Sequence, residues 1–228
     1  DMKEELRSGN GGDITRRLAR EIAMNIQNDR QTILFLNRRG ANSLVTCKSC
    51  GYTFTCDRCS VSLTYHRANG RMMCHYCGYS RPAEDTCPQC GSTLNYLGSG
   101  TQKVEEELHE LFPEATVIRM DADTVSAAKS HEKILQEFKN KKADILLGTQ
   151  MVTKGLDFEN VTLVGVLSAD RSLYVNDYRA RERTFSMITQ VVGRAGRGDK
   201  PGRALIQTFT PDNPVISLAA RQDYDAFY

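Results

Sequence analysis

The eight cysteines of this chain fall in four Cys-x-x-Cys pairs: Cys47/Cys50, Cys56/Cys59, Cys74/Cys77 and Cys87/Cys90. Two thiolates three positions apart can be aimed at one ion, and four such ligands close a tetrahedral zinc site. Eight make two sites with no ligand left over. Three of the pairs are followed by glycine (Gly51, Gly78, Gly91), which suits a tight turn. The inner pairs stand fourteen residues apart, close to zinc-ribbon spacing. Cys56, Cys59, Cys74 and Cys77 are therefore expected at one ion, and Cys47, Cys50, Cys87 and Cys90 at a second around it. The spacing also leaves a cross-braced pairing open. Disulfides and iron or redox chemistry are the competing uses, and no signal peptide supports the first. A closed four-cysteine site has no open coordination position, so two Zn2+ ions here would be structural.

A second set of residues suits phosphates. Gly148 to Phe158 carries hydroxyls, an amide and glycines, Asp170-Arg171 follows an apolar run, and Gln190-Val191-Val192-Gly193-Arg194-Ala195-Gly196-Arg197 closes a helical pattern. Two arginines three apart, flanked by glycines, can set two guanidinium forks on one oligophosphate. Open parallel sheets bind ligands beyond the carboxyl ends of their strands. The three segments are expected at or near such ends.

The elements that must hold these residues alternate. Ile14, Leu18, Ile22 and Ile26 form an i, i+4 stripe that predicts a helix with Asp13 as N-cap. Apolar runs predict strands over 32–36, 116–120, 144–148, 161–167 and 203–208. Val104, Leu108 and Leu111 mark a helix stopped by Pro113. Ile134, Leu135 and Phe138 mark another, and 181–193 a third. Strands alternating with helices predict a doubly wound parallel sheet whose strand order is not legible. The cysteine stretch interrupts it, so the organisation reads as 1–45, an inserted zinc module at 46–97, and 98–228. The module has little core of its own and is expected to need its metals to fold.

Composition bounds the rest. The chain has 228 residues and a formal charge of +2, and eight thiolates around two Zn2+ would bring it to −2. Bulk charge gives no argument for nucleic acid. No apolar run has the length of a membrane helix. The chain starts at Asp1 and reads as an excised piece, expected to be monomeric.

The phosphate-suited segments also carry a family resemblance. Gly148 to Phe158 resembles motif V of superfamily 2 helicases, Gln190 to Arg197 resembles motif VI, and Asn37 to Gly40 is similar to motif IV; all three belong to the second RecA-like lobe. With the eight-cysteine insertion between Leu36-Asn37-Arg38-Arg39-Gly40 and Tyr96-Leu97-Gly98-Ser99-Gly100-Thr101, nearly the whole chain looks like bacterial replication-restart helicases. The resemblance implies an ATP-dependent 3′→5′ DNA helicase active in replication restart and primosome assembly, using ATP and Mg2+. By it Arg197 is the arginine finger, Arg194 assists at the γ-phosphate and Gln190 couples nucleotide to the lobe interface. Gly155 and Asp157 lie near the nucleotide, and Thr149, Thr101 and Arg38 touch DNA. It further implies branched DNA forks, single-stranded DNA-binding protein and helicase-loading proteins as partners, in the bacterial cytoplasm at the nucleoid. No Gly-x-x-x-x-Gly-Lys-Ser/Thr loop is present, so this piece alone is expected to be inactive.

The other function class is a non-catalytic zinc-ribbon module that binds nucleic acid or protein. Tyr52, Phe54, Tyr65, Tyr76 and Tyr79 interleave with Arg58, Arg67, Arg71 and Arg81, a pattern that suits either base stacking or a small core. His66 and His75 are left out of the ligand sets. Lys139, Lys141 and Lys142 read as a solvated helix end.

Overall fold

The computed structural model describes residues 1–36, 43–44, 47, 50, 52–66, 69–74, 76–94, 101–120, 131–149, 158–173, 177–196 and 201–228. The chain divides into two compact units, one of Asp1–Arg38, Ser99–Leu173 and Arg181–Tyr228, the other of Arg39–Gly98 and Tyr174–Ala180.

The first unit is built on five strands: β1 (Gln31–Leu36), β6 (Val117–Met120), β7 (Ile145–Gly148), β8 (Val161–Leu167) and β9 (Arg203–Ile206). Their order is β6-β7-β1-β8-β9, and every pairing is parallel. Apolar runs without alternation suit strands covered on both faces, and β1, β7 and β8 are buried along their whole length. Successive side chains still divide between the two faces. Leu34, Leu36 and Leu163 pack with Leu18 and Ile22 of α2 (Arg16–Gln27) and Val104 and Leu108 of α3 (Thr101–Leu111). Ile33, Phe35, Val164 and Val166 pack with Phe138 of α4 (His131–Lys139), Phe185 and Ile188 of α5 (Ala180–Val192), and Val215 and Ile216 of α6 (Pro214–Arg221). Gly165 has a packing reason: a Cβ there would lie 2.7 Å from Leu34 Cδ2 and 3.2 Å from Leu18 Cδ1, so α2 approaches the sheet only over glycine.

The structure corrects the start of α2. The cap is Thr15, whose hydroxyl accepts from Leu18 N at 3.2 Å. Asp13 is committed elsewhere. Its N–H donates to Glu107, its carboxylate receives Lys103 Nζ, and its carbonyl accepts from Gln207 Nε2. Leu111, expected on the buried stripe of α3, is 46 % exposed because the helix ends there. Two helices were not expected, α1 (Met2–Arg7) and α6. The second was legible: Asn213 caps through Val215 N, and Pro214 fits the first helical turn.

The second unit has no long element. Strands β2 (Ser43–Leu44), β3 (Thr64–His66), β4 (Arg71–Met73) and β5 (Ser80–Pro82) form an antiparallel sheet in chain order. Its buried core is Phe54, Leu63, Met72 and Leu94 together with Cys47, Cys56, Cys74 and Cys87.

Candidate functional site

Each Cys-x-x-Cys pair opens the same local fold. The first cysteine's N–H donates to the carbonyl five residues on: Cys47 to Tyr52, Cys56 to Val61 and Cys74 to Tyr79, all at 2.7 Å, and Cys87 to Ser92 at 2.8 Å. This closes a small loop that brings both sulfurs of a pair to one cluster. After the second cysteine the backbone enters the left-handed region, at Gly78 (φ 73°) and Gly91 (φ 71°). Gly51 lies outside the described residues. In the remaining loop Ser60 takes the same conformation at φ 53°, a position that favours glycine.

The four loops bring the thiols into two clusters, Cys47/Cys50/Cys87/Cys90 and Cys56/Cys59/Cys74/Cys77, with the sulfurs of each within 4.8 Å of one another. The pairing is thus nested rather than cross-braced. Cys47 and Cys90 Sγ are 3.6 Å apart, Cys50 and Cys87 3.7 Å, and Cys56 and Cys77 3.7 Å. Four sulfurs held ~2.3 Å from a tetrahedral ion lie about 3.8 Å apart, so the donors fit Zn2+. All eight are free thiols rather than disulfides. The first sulfur of every pair is buried, while Cys50, Cys77 and Cys90 reach the surface and Cys59 is half-buried.

The thiols are electrostatically unequal. Backbone N–H groups of Cys77 and Tyr76 bring Cys74 down to about 7. The Ser92 hydroxyl, then its N–H, bring Cys90 down to about 6. Hydrogen bonding to Cys77 and then burial push Cys59 up to about 12. The Tyr52 N–H pulls Cys50 down, but burial and three neighbouring thiols outweigh it and hold Cys50 at about 12. Burial raises Cys56. Crowded thiols resist a second negative charge, and a divalent cation supplies what would let all four ionise.

The interleaved aromatics are mostly core. Phe54 is buried with Tyr52 edge-on to it at 5.1 Å, and Tyr65 and Tyr79 pack against the same cluster. Arg71 bonds Ser80, Arg81 pairs with Glu84, and Arg58 sits 5.4 Å over Tyr79. Tyr76 differs, at 78 % exposed. His75 and Arg67 lie outside the described residues.

The first unit separates its phosphate-suited residues between two edges of one sheet. Thr149 follows the last residue of β7, and its N–H donates to Met120 O, the last residue of β6, at 3.3 Å. That is the carboxyl edge. The start of α3 lies at the same edge: Lys103 reaches Asp13, whose carbonyl accepts from Gln207, the residue after β9. Thr101 opens this helix but is only 3 % exposed, so its hydroxyl is not at the surface as a DNA contact would need. Arg194 and its neighbours lie at the other edge. Gly196 N–H donates to Val161 O, the first residue of β8, at 3.2 Å. This corrects the expected placement beyond a carboxyl end. The helix runs antiparallel to the strands, so its last turn returns to their amino ends. Gln190 is exposed on that turn and Arg194 is half-buried. Arg38, Gly155, Asp157 and Arg197 lie outside the described residues. Asp170 has a structural job. Its carboxylate accepts from Thr208 Oγ1 and Thr210 Oγ1 at 2.6 Å and Phe209 N at 2.8 Å.

Comparison with known proteins agrees with both units. Residues 56–82 match the model of the PriA DNA helicase Cys-rich region domain, and residues 91–199 match the helicase conserved C-terminal domain. Replication restart protein PriA of Bacillus subtilis (strain 168) is 52 % identical over 229 residues, covering 100 % of this chain and 28 % of that protein. The Synechocystis sp. protein of the same name is 45 % identical over 232 residues, with the same coverage of each. That of Rickettsia conorii is 41 % identical, covering 100 % of this chain and 35 % of the relative. The chain thus spans about a third or less of the relatives it matches. Along its whole length the chain is thus similar to a segment of the PriA replication restart proteins, and its two four-cysteine clusters and parallel α/β unit fit the Cys-rich region and helicase C-terminal domain models that it matches.

Proposed function

We propose that this chain is the second motor lobe and structural zinc module of an ATP-dependent DNA helicase that restarts replication. The separation of its two edges carries the proposal. Arg194 belongs to the amino edge through the Gly196–Val161 bond, whereas Thr149 belongs to the carboxyl edge. A lobe that must feel nucleotide and grip DNA at once needs two such faces. On this reading Gln190, Arg194 and Arg197 serve the nucleotide held by a missing first lobe. Gly155 and Asp157 border that nucleotide, and Thr149 and Arg38 meet the DNA backbone. Thr101 contributes through its place at the start of α3. The chain contains no phosphate-binding Gly-x-x-x-x-Gly-Lys-Ser/Thr loop, so it works only joined to the rest of its protein.

The finer assignments belong to the same proposal. Residues 1–45 and 98–228 form the lobe and 46–97 the insertion. The module takes two Zn2+, one per cluster, as folding ligands, and the protein takes ATP with Mg2+. Translocation runs 3′→5′. Branched forks, single-stranded DNA-binding protein and primosome proteins are the partners, at the nucleoid. No helix among the described residues is long and apolar enough to cross a membrane.

The test is DNA-stimulated ATP hydrolysis by the full-length protein and its Arg197→Ala variant. Removing an arginine that stabilises transferring phosphate costs about 10³–10⁵ in rate. Hydrolysis is expected to fall by that order while DNA binding persists. Hydrolysis indifferent to Arg197 would overturn the motor assignment and leave the zinc module as the place to look for function.

A further inference from the structure

We infer that the two cysteine clusters take up metal in a fixed order, Cys56/Cys59/Cys74/Cys77 first and Cys47/Cys50/Cys87/Cys90 second, on the scaffold the first creates. This rests on the zinc reading above and adds to it a direction of assembly. The clusters are alike in ligand type and, Ser60 apart, in the fold of their loops, and they differ most in how the chain connects them.

The inner cluster is self-contained. Its two loops, 56–61 and 74–79, hang from the two open ends of one hairpin. In it β3 and β4 pair Thr64 with Met73, Tyr65 with Met72, and His66 with Arg71. Met73 runs directly into Cys74. Met72 within this ladder and Leu63 just before it are fully buried. All four of its ligands and the hairpin that carries them lie between residues 56 and 79.

The outer cluster has no such frame. Cys47 and Cys50 follow β2, and Cys87 and Cys90 follow β5. These strands lie at opposite edges of the sheet. β2 pairs with β3, through Ser43–Tyr65 and Leu44–Thr64, and β5 pairs with β4, through Arg71–Pro82, Met72–Arg81 and Met73–Ser80. Both outer arms are thus templated on the inner hairpin.

Chain length acts in the same direction. The inner cluster closes a segment of fourteen residues (60–73), the outer one of thirty-six (51–86) that contains the whole inner site. Closure scales as the three-halves power of length, which favours the inner site about fourfold before any pairing is counted. Coupling between the sites is reciprocal. The order is therefore set by which site can close unaided, and that is the inner one.

The experiment strips metal from the chain, returns one equivalent of Zn2+, and maps thiols open to N-ethylmaleimide by peptide mass. Cys56, Cys59, Cys74 and Cys77 are expected to be protected while Cys47, Cys50, Cys87 and Cys90 are labelled; a second equivalent should protect all eight. Equal labelling of the two sets, or protection of the outer set first, would overturn the order. Two variants tested against a competing chelator supply an independent arm. Cys47→Ser/Cys50→Ser should leave the first zinc affinity unchanged. Cys56→Ser/Cys59→Ser should weaken uptake by the remaining outer cluster fourfold or more, relative to the second step of the unchanged chain. Equal losses in both variants sink the order but keep the zinc reading, whereas failure of either cluster to bind zinc sinks both.

Discussion

The two units of this chain solve the problem of stability by different means. In the lobe, seven consecutive residues of β8 and six of β1 are buried, and helices on both faces bring in Leu18, Val104, Phe138 and Phe185. Among the described residues of the module no strand exceeds three residues, and half of the buried core is cysteine. Apolar burial scales with area, so a sheet this short gathers too little of it to offset chain entropy. Ligand bonds to metal act through a few atoms and need no area. The lobe therefore stores its stability in packing, and the module in four repeated loops that point thiols at two places.

That contrast can be broken most directly with a chelator. Removing metal should abolish the module's structure while leaving the lobe folded. Amide exchange would report it: the N–H groups of Cys56, Leu63 and Cys74 should lose protection, and those of Leu34 and Val164 should keep it. Loss of protection in both regions would mean that the lobe leans on the metal too. The converse change is Phe138→Ala, which removes a fully buried ring packed edge-on against Phe158 at 5.0 Å. Such truncations cost about 3–5 kcal/mol. The lobe's melting should shift down accordingly, with thiol protection in the module unchanged. The smallest expected effect sharpens the comparison inside the module. Ser60 holds a left-handed conformation that its counterparts Gly78 and Gly91 adopt without penalty. Relieving it in Ser60→Gly should stabilise the zinc-loaded module by about 0.5–1 kcal/mol, read from chelator competition at the inner cluster.

Much of this was legible in the residues themselves. The Cys-x-x-Cys-Gly repeats announce loops because the chemistry of a loop is local. The runs at 32–36 and 161–167 announce strands buried on both faces because alternation is absent. Other features were misread for identifiable reasons. Asp13 looked like the cap of α2 because Asp commonly is one, but Lys103 and Glu107, some ninety residues away in sequence, claim its polar groups and leave Thr15 to cap. The alternating tyrosines and arginines of the module are no such misreading: they suit base stacking or a small core alike, and the structure shows mostly core. The fold spends most of them on one another, on Phe54 and on Ser80.

By itself, then, the sequence determined the ligand type, the loop geometry around each cysteine pair, the alternation of strands and helices, and the order of the helicase-like motifs. These depend on side chains a few positions apart. Only the tertiary structure decided which cysteine pairs share a cluster, which strands are neighbours in the order β6-β7-β1-β8-β9, and that the Arg194 segment lies at the amino edge of the sheet rather than its carboxyl edge. Each of those joins residues distant along the chain. Many such pairings satisfy the same local preferences, and only the packing of the whole unit selects among them.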